Sequence, residues 1–166
     1  MDRRDELTTR VADLMADLDL DRRYFTYVDT CAGRPTQTTL RSPDLGAALT
    51  AAGLPVKYQR AEGFFQLFEK NVAPGINTGL NALLRGVKLE LILNVQIENL
   101  GVGGTLHGLS RHIAETRDPT YDRTPPYPRI PITTKAELTH AATFTASLYT
   151  DIRNAITTQA ATLTAP

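Results

Sequence analysis

Residues 88–98, KLELILNVQIE, alternate more regularly than any other stretch of the chain. Leu89, Leu91, Leu93, Val95 and Ile97 are apolar, whereas Lys88, Glu90, Asn94, Gln96 and Glu98 are polar, with Ile92 the exception. Successive side chains of a strand point to opposite faces, so this is a strand with one side buried and one turned to water. A parallel strand packed on both faces would read as a continuous apolar run. The chain therefore has to build an antiparallel sheet and cover one side of it.

Other strands are sought on the same grounds. VKYQR and FFQLFEK flank AEG, a short loop ending in glycine, and predict a hairpin. RRYFTYVDT is aromatic and β-branched and predicts a further strand, with a short one over TQTTLR after the break at CAGRP. A sheet of about five strands results.

Helices come from both ends. Leu7, Val11, Leu14 and Leu18, widened by Met15, recur at helical spacing over residues 3–19, with Glu6 and Arg10 one turn apart outside. In SPDLGAALTAAGLP, Ser42 can cap, Pro43 and Asp44 suit a first turn, and Gly53 and Pro55 stop the helix. Residues 71–87 read as a connection with one short helix around Leu80 to Leu84. TLHGLSRHIAETR predicts a short helix through Leu106, Leu109 and Ile113. Thr134 and Glu137 form a capping box that opens a last helix, carried by Leu138, Ala141, Thr145, Leu148, Ile152 and Ile156 to about residue 158. Five of the ten prolines lie in 119–131, an extended connector, and residues 159–166 are expected to fray. The expected fold is one α+β domain over residues 1–166: an antiparallel sheet packed against N- and C-terminal helices plus one short internal helix.

Several chemistries are disfavoured. Gly101 and Gly103 begin a G-x-G-x-x-G pattern, but its third position is Leu106, and no glycine-lysine-serine/threonine triplet marks a P-loop. The glycines at 101–104 read as a turn. No G-x-S-x-G elbow occurs, and Cys31 has no local nucleophile signature, so it reads as a half-buried structural thiol. His107, His112 and Glu115 are the densest set of possible ligands, and His112 and Glu115 would share a helix face. No H-E-x-x-H or paired-cysteine motif supports a metal there, and no cofactor is expected. Glu90 and Glu98 read as a solvated face.

Formal net charge is zero, which disfavours a general nucleic-acid binder. The charge is uneven: seven acids against three arginines give residues 1–21 a net of −4. Arg outnumbers Lys by 14 to 4, the pattern expected of a GC-rich bacterial genome. Met1 is followed by DRRDEL rather than an apolar leader, and no window is apolar enough to span a bilayer, so a cytoplasmic protein is expected. What remains is surface. Asp13 and Asp17 give the first helix an acidic outer face. In GFFQLFEK, Phe64 and Phe68 share one side and Phe65 and Leu67 the other, so a sheet covered on one face leaves one pair to meet a partner. The expected function is a non-catalytic protein-binding domain, such as a small immunity-type inhibitor that sequesters an enzyme. Self-association through an uncovered sheet edge or face fits the same residues. The alternative is an enzyme or a ligand- or metal-binding protein with its site at the glycine turn and His107, His112 and Glu115.

Overall fold

The computed structural model describes residues 2–31 and 37–166. The elements are α1 (Arg3–Asp17), α2 (Leu20–Thr30), α3 (Ser42–Ala51), β1 (Lys57–Gln59), β2 (Phe64–Ala73), β3 (Ile76–Arg85), β4 (Lys88–Ile97), β5 (Leu100–Thr105), α4 (Leu106–Arg117), β6 (Ile130–Pro131), α5 (Lys135–Thr158) and α6 (Ala160–Thr164). The first five strands form an antiparallel meander in chain order, and β6 pairs with the start of β4 through Lys88↔Pro131 and Leu89↔Ile130. This is the expected α+β architecture, with one strand more.

Hydrogen-bond register fixes the two faces. The inner rows run Phe65–Ala82–Leu91, Leu67–Leu80–Leu93–Gly104 and Glu69–Thr78–Val95–Val102. Helix α5 lies over this side: the Tyr149 hydroxyl donates to Glu69 at 2.7 Å and stands 2.9 Å from the Thr78 hydroxyl. Arg153 Nε donates to the same Glu69 carboxylate at 2.9 Å. Burial pushes the Tyr149 hydroxyl pKa well above its ordinary value, so it remains a donor. The capping box at Thr134 is present, with Thr134 N donating to Glu137 at 3.1 Å and Glu137 N to Thr134 Oγ1 at 3.1 Å.

Three expectations fail on secondary structure. RRYFTYVDT is not a strand but lies in α2, where Leu20, Tyr24 and Phe25 fall on one buried helical side. Its aromatic content gave only a weak β preference, and burial of a helical stripe overrides it. Residues 37–41 of the expected TQTTLR strand belong to no element, and Thr36 lies outside the described residues. The segment around Leu80 to Leu84 is not a helix but the middle of β3. Leu and Ala there are good helix formers, but β3 pairs with β4 along its whole length and with β2 from Ile76 to Ala82 around a bulge. Ser42 is also not the cap of α3: Arg41 occupies that position, and its N–H donates to Asp44 at 2.8 Å.

The glycines at 101–104 are not a turn either. The turn is Glu98–Asn99, both at positive φ (51° and 69°), as a two-residue hairpin loop of the primed kind requires. The glycines that follow lie in β5. A Cβ on Gly103 would fall 2.3 Å from the Leu93 carbonyl oxygen, so only glycine permits this approach. At the C-terminus, residues expected to fray include α6, whose Leu163 is buried in the core.

Candidate functional site

Alternation along β2 points Leu67 inward and Phe64, Gln66, Phe68 and Lys70 outward. Leu67 is buried, Phe65 packs against the core, and Phe68 is 46 % exposed. Phe64 is half-buried on that same outer side. Phe64 and Phe68 thus form the outer pair of β2, Phe64 half-buried and Phe68 exposed.

Register extends this outer face across the sheet. It carries Lys57 on β1, Asn77, Gly79, Asn81, Leu83 and Arg85 on β3, Glu90, Ile92, Asn94 and Gln96 on β4, and Gly101 and Gly103 on β5. Without side chains at 101 and 103, a trough of about 520 Å³ opens between Phe68 and the N-terminal part of α1, which contributes Arg4 and Thr8. Its floor is amide-rich: Asn77 Nδ2 donates to Gln96 Oε1 at 2.7 Å, and Asn77 Oδ1 accepts from Asn71 N at 2.9 Å. Asn81 is 9 % exposed, and its buried Oδ1 has no hydrogen-bond partner.

The other end of the same face is closed by charge. Glu90 is buried, correcting the expectation of a solvated carboxylate, because His107 and Arg129 both reach it. His107 Nε2 donates to Glu90 Oε1 at 3.1 Å, and Arg129 Nε donates to the same oxygen at 3.1 Å. His107 Nδ1 lies 3.2 Å from Thr105 Oγ1, the N-cap of α4, which accepts from Gly108 N. The His107 ring meets the Tyr127 ring edge-on at 5.8 Å, and Arg111 lies 5.3 Å from the Tyr127 centroid. Burial pushes the Glu90 pKa up, but the hydrogen bonds from His107 and Arg129 outweigh it and hold the carboxyl below its ordinary value. Glu90 therefore ties β4, the start of α4 and the proline-rich segment together as an ionised acceptor. A group held ionised in this way does not suit general-acid work.

His107, His112 and Glu115 are not brought together. His107 turns to Glu90, His112 is exposed, and Glu115 pairs with Arg111 at 2.7 Å. Among the described residues, no group of three or more His, Cys, Asp or Glu side chains could hold a metal ion. Cys31 is half-buried at the end of α2, its thiol pKa raised by burial and by the nearby Glu137 charge, which makes it a poor nucleophile. The proline-rich segment is anchored: Tyr24 donates to Pro128 O at 2.8 Å, Tyr121 stacks on Phe25, and Arg123 pairs with Asp29. Ile130 is buried in β6, so the end of this connector is part of the domain core.

Asp13 and Asp17 are exposed on α1, as expected. At roughly 100° per residue, Asp13 lies about half a turn of rotation from Arg4, so the acids face away from the trough. The acidic helix face and the Phe64–Phe68 face are two separate patches. Sequence reading missed Asn81, Arg129 and the cations of the outer face. Strand alternation could have found Lys57 and Lys88, but nothing local announces that Arg129 meets Glu90, 39 residues away.

The chain is thus an α+β domain whose five-strand meander carries helix α5 on one side, while its other side is closed at Glu90 by His107 and Arg129 and leaves Phe68 exposed beside the trough. No family model matches it, and no curated protein or solved structure is significantly similar to it. Among the described residues, no helix is long and apolar enough to cross a membrane.

Proposed function

We propose that this is a non-catalytic protein-binding domain, of the kind that sequesters a partner as small inhibitors do, and that it docks through the outer face of its sheet. The observation that carries this reading is Phe68, 46 % exposed on the outer face of the sheet beside the trough. A large apolar side chain held on a strand, beside a trough and ringed by polar groups, has the anatomy of an interface centre. The titratable groups at the other end of this face support binding rather than chemistry, since Glu90 and His107 are already engaged with each other.

Affinity capture of the tagged protein from its native lysate, read by mass spectrometry, tests the reading. One stoichiometric partner is expected, lost with Phe68→Ser and kept with the double reversal Asp13→Lys and Asp17→Lys. Aromatic anchors at interface centres are worth roughly 2 kcal/mol or more, about thirty-fold in affinity. A partner retained by Phe68→Ser but lost with the aspartate reversals would move the docking surface to α1 and refute the sheet-face assignment.

A further inference from the structure

The charge of the outer face is one-sided. Arg4, Lys57, Lys70, Arg85 and Lys88 stand on it or at its rim, and they include three of the four lysines of the chain. Among the described residues, none of these five lies within ion-pair distance of a carboxylate; the ion pairs use other cations. Arg85 and Lys88 even stand directly opposite each other across the β3–β4 hairpin, where like charges repel. Of the carboxylates in the outward row of β4 and its turn, Glu90 is buried and already holds two donors, and Glu98 is paired with Arg3 at 3.4 Å.

We infer that the occupant of this face is an acidic, extended polypeptide segment of another protein, a conclusion that rests on the docking face proposed above. Its carboxylates meet the lysine and arginine rim, and an apolar side chain packs on the exposed Phe68 ring beside the trough. The exposed Phe68 ring argues against free phosphate, which brings no apolar group to cover it, and the zero net charge of the chain argues against a polyanion bound by charge alone. A second copy of this chain docked face to face about a two-fold axis would set the five cations against themselves. The acids at Asp13 and Asp17, turned away from the trough, leave the molecule dipolar and orient an acidic partner toward the sheet.

The test is fluorescence anisotropy with three labelled probes: a twelve-residue alternating Glu–Leu peptide, its Lys–Leu counterpart and a twelve-nucleotide oligo-dT. The Glu–Leu peptide is expected to bind, to weaken as salt rises from 50 to 300 mM, and to lose about ten-fold in affinity with Lys70→Glu and Lys88→Glu combined. Both lysines are exposed, and Lys88→Glu sets a carboxylate opposite Arg85, so the thermal unfolding midpoint of the double variant does not fall below the parent's, which circular dichroism checks. Binding of the Lys–Leu peptide as tightly, tighter binding of oligo-dT, no binding of the Glu–Leu peptide, or an unchanged affinity in the double variant would each overturn the assignment. So would a dimer in sedimentation that Phe68→Ser dissolves, since the occupant would then be a second copy. Should the peptide arms fail while lysate capture still depends on Phe68, the docking face stands and only its acidic occupant falls.

Discussion

Along β4 the two faces of one sheet are built on different terms. Leu89, Leu91, Leu93, Val95 and Ile97 turn inward and are at most 2 % exposed, and the helices cover them all. Their outer neighbours run from exposed Lys88 through buried Glu90 to half-buried Ile92, Asn94 and Gln96. The inner row is uniform because one requirement, exclusion of water, acts on every position. The outer row is heterogeneous because its burial comes from neighbouring side chains and, at Glu90, from ion pairs. The outer face of this sheet is therefore not simply a wet face.

The sharpest way to break that comparison is truncation on the inner row. Leu93→Ala removes a side chain 1 % exposed at the centre of the inner face and should lower unfolding free energy by about 2–5 kcal/mol in urea titration. A loss below about 1 kcal/mol would mean that the inner face is not the close-packed side and that the assignment of faces is wrong.

Glu90 sharpens the comparison at an intermediate scale, because it is an outer-face residue buried like an inner one. Glu90→Gln removes the charge that His107 and Arg129 contact and should destabilise by about 1–3 kcal/mol near neutral pH. The sign of its pH dependence follows from the lowered pKa. A carboxylate held below its ordinary value contributes stability that is complete above the unfolded-state pKa and lost as pH falls through the folded one. The parent should therefore lose stability on acidification below the ordinary carboxylate range more steeply than Glu90→Gln does. Some acid sensitivity persists in the variant, since hydrogen bonds from Thr133 hold Glu137 low and a hydrogen bond from Arg123 does the same for Asp29. Parallel acid limbs in the two proteins would remove Glu90 from any part in that loss.

The same contrast explains what could be read from the residues alone. The inner row of β4, the core stripe of α1 and the capping box of α5 are legible because each is a short-range pattern that one physical requirement imposes. The strand β3 was not, because INTGLNALLR pairs on both edges, and most of its positions are buried whichever way they point. Helix α2 was missed for a related reason: aromatic residues suit both a strand and a helix stripe, and only packing decides. On the candidate site, the Phe64–Phe68 side of β2 followed from alternation. The destination of His107 did not, since it depends on the proline-rich segment bringing Arg129 back to β4.

The smallest stability effect belongs to the residue expected to matter most for binding. Phe68→Ser replaces a side chain about half open to solvent, over a sheet whose other face holds the core. Little packing is lost in the free domain, and serine on an outer strand position sacrifices only some β propensity, so the unfolding free energy should change by less than about 1 kcal/mol. Thermal and urea unfolding of the same variant used for partner capture measure this directly. A loss of several kcal/mol would show that Phe68 belongs to the packing of the domain, and any failure of capture by that variant would then report misfolding rather than a missing anchor. A near-neutral change separates the two faces cleanly: the inner one maintains the fold, and the outer one is free to be spent on a partner.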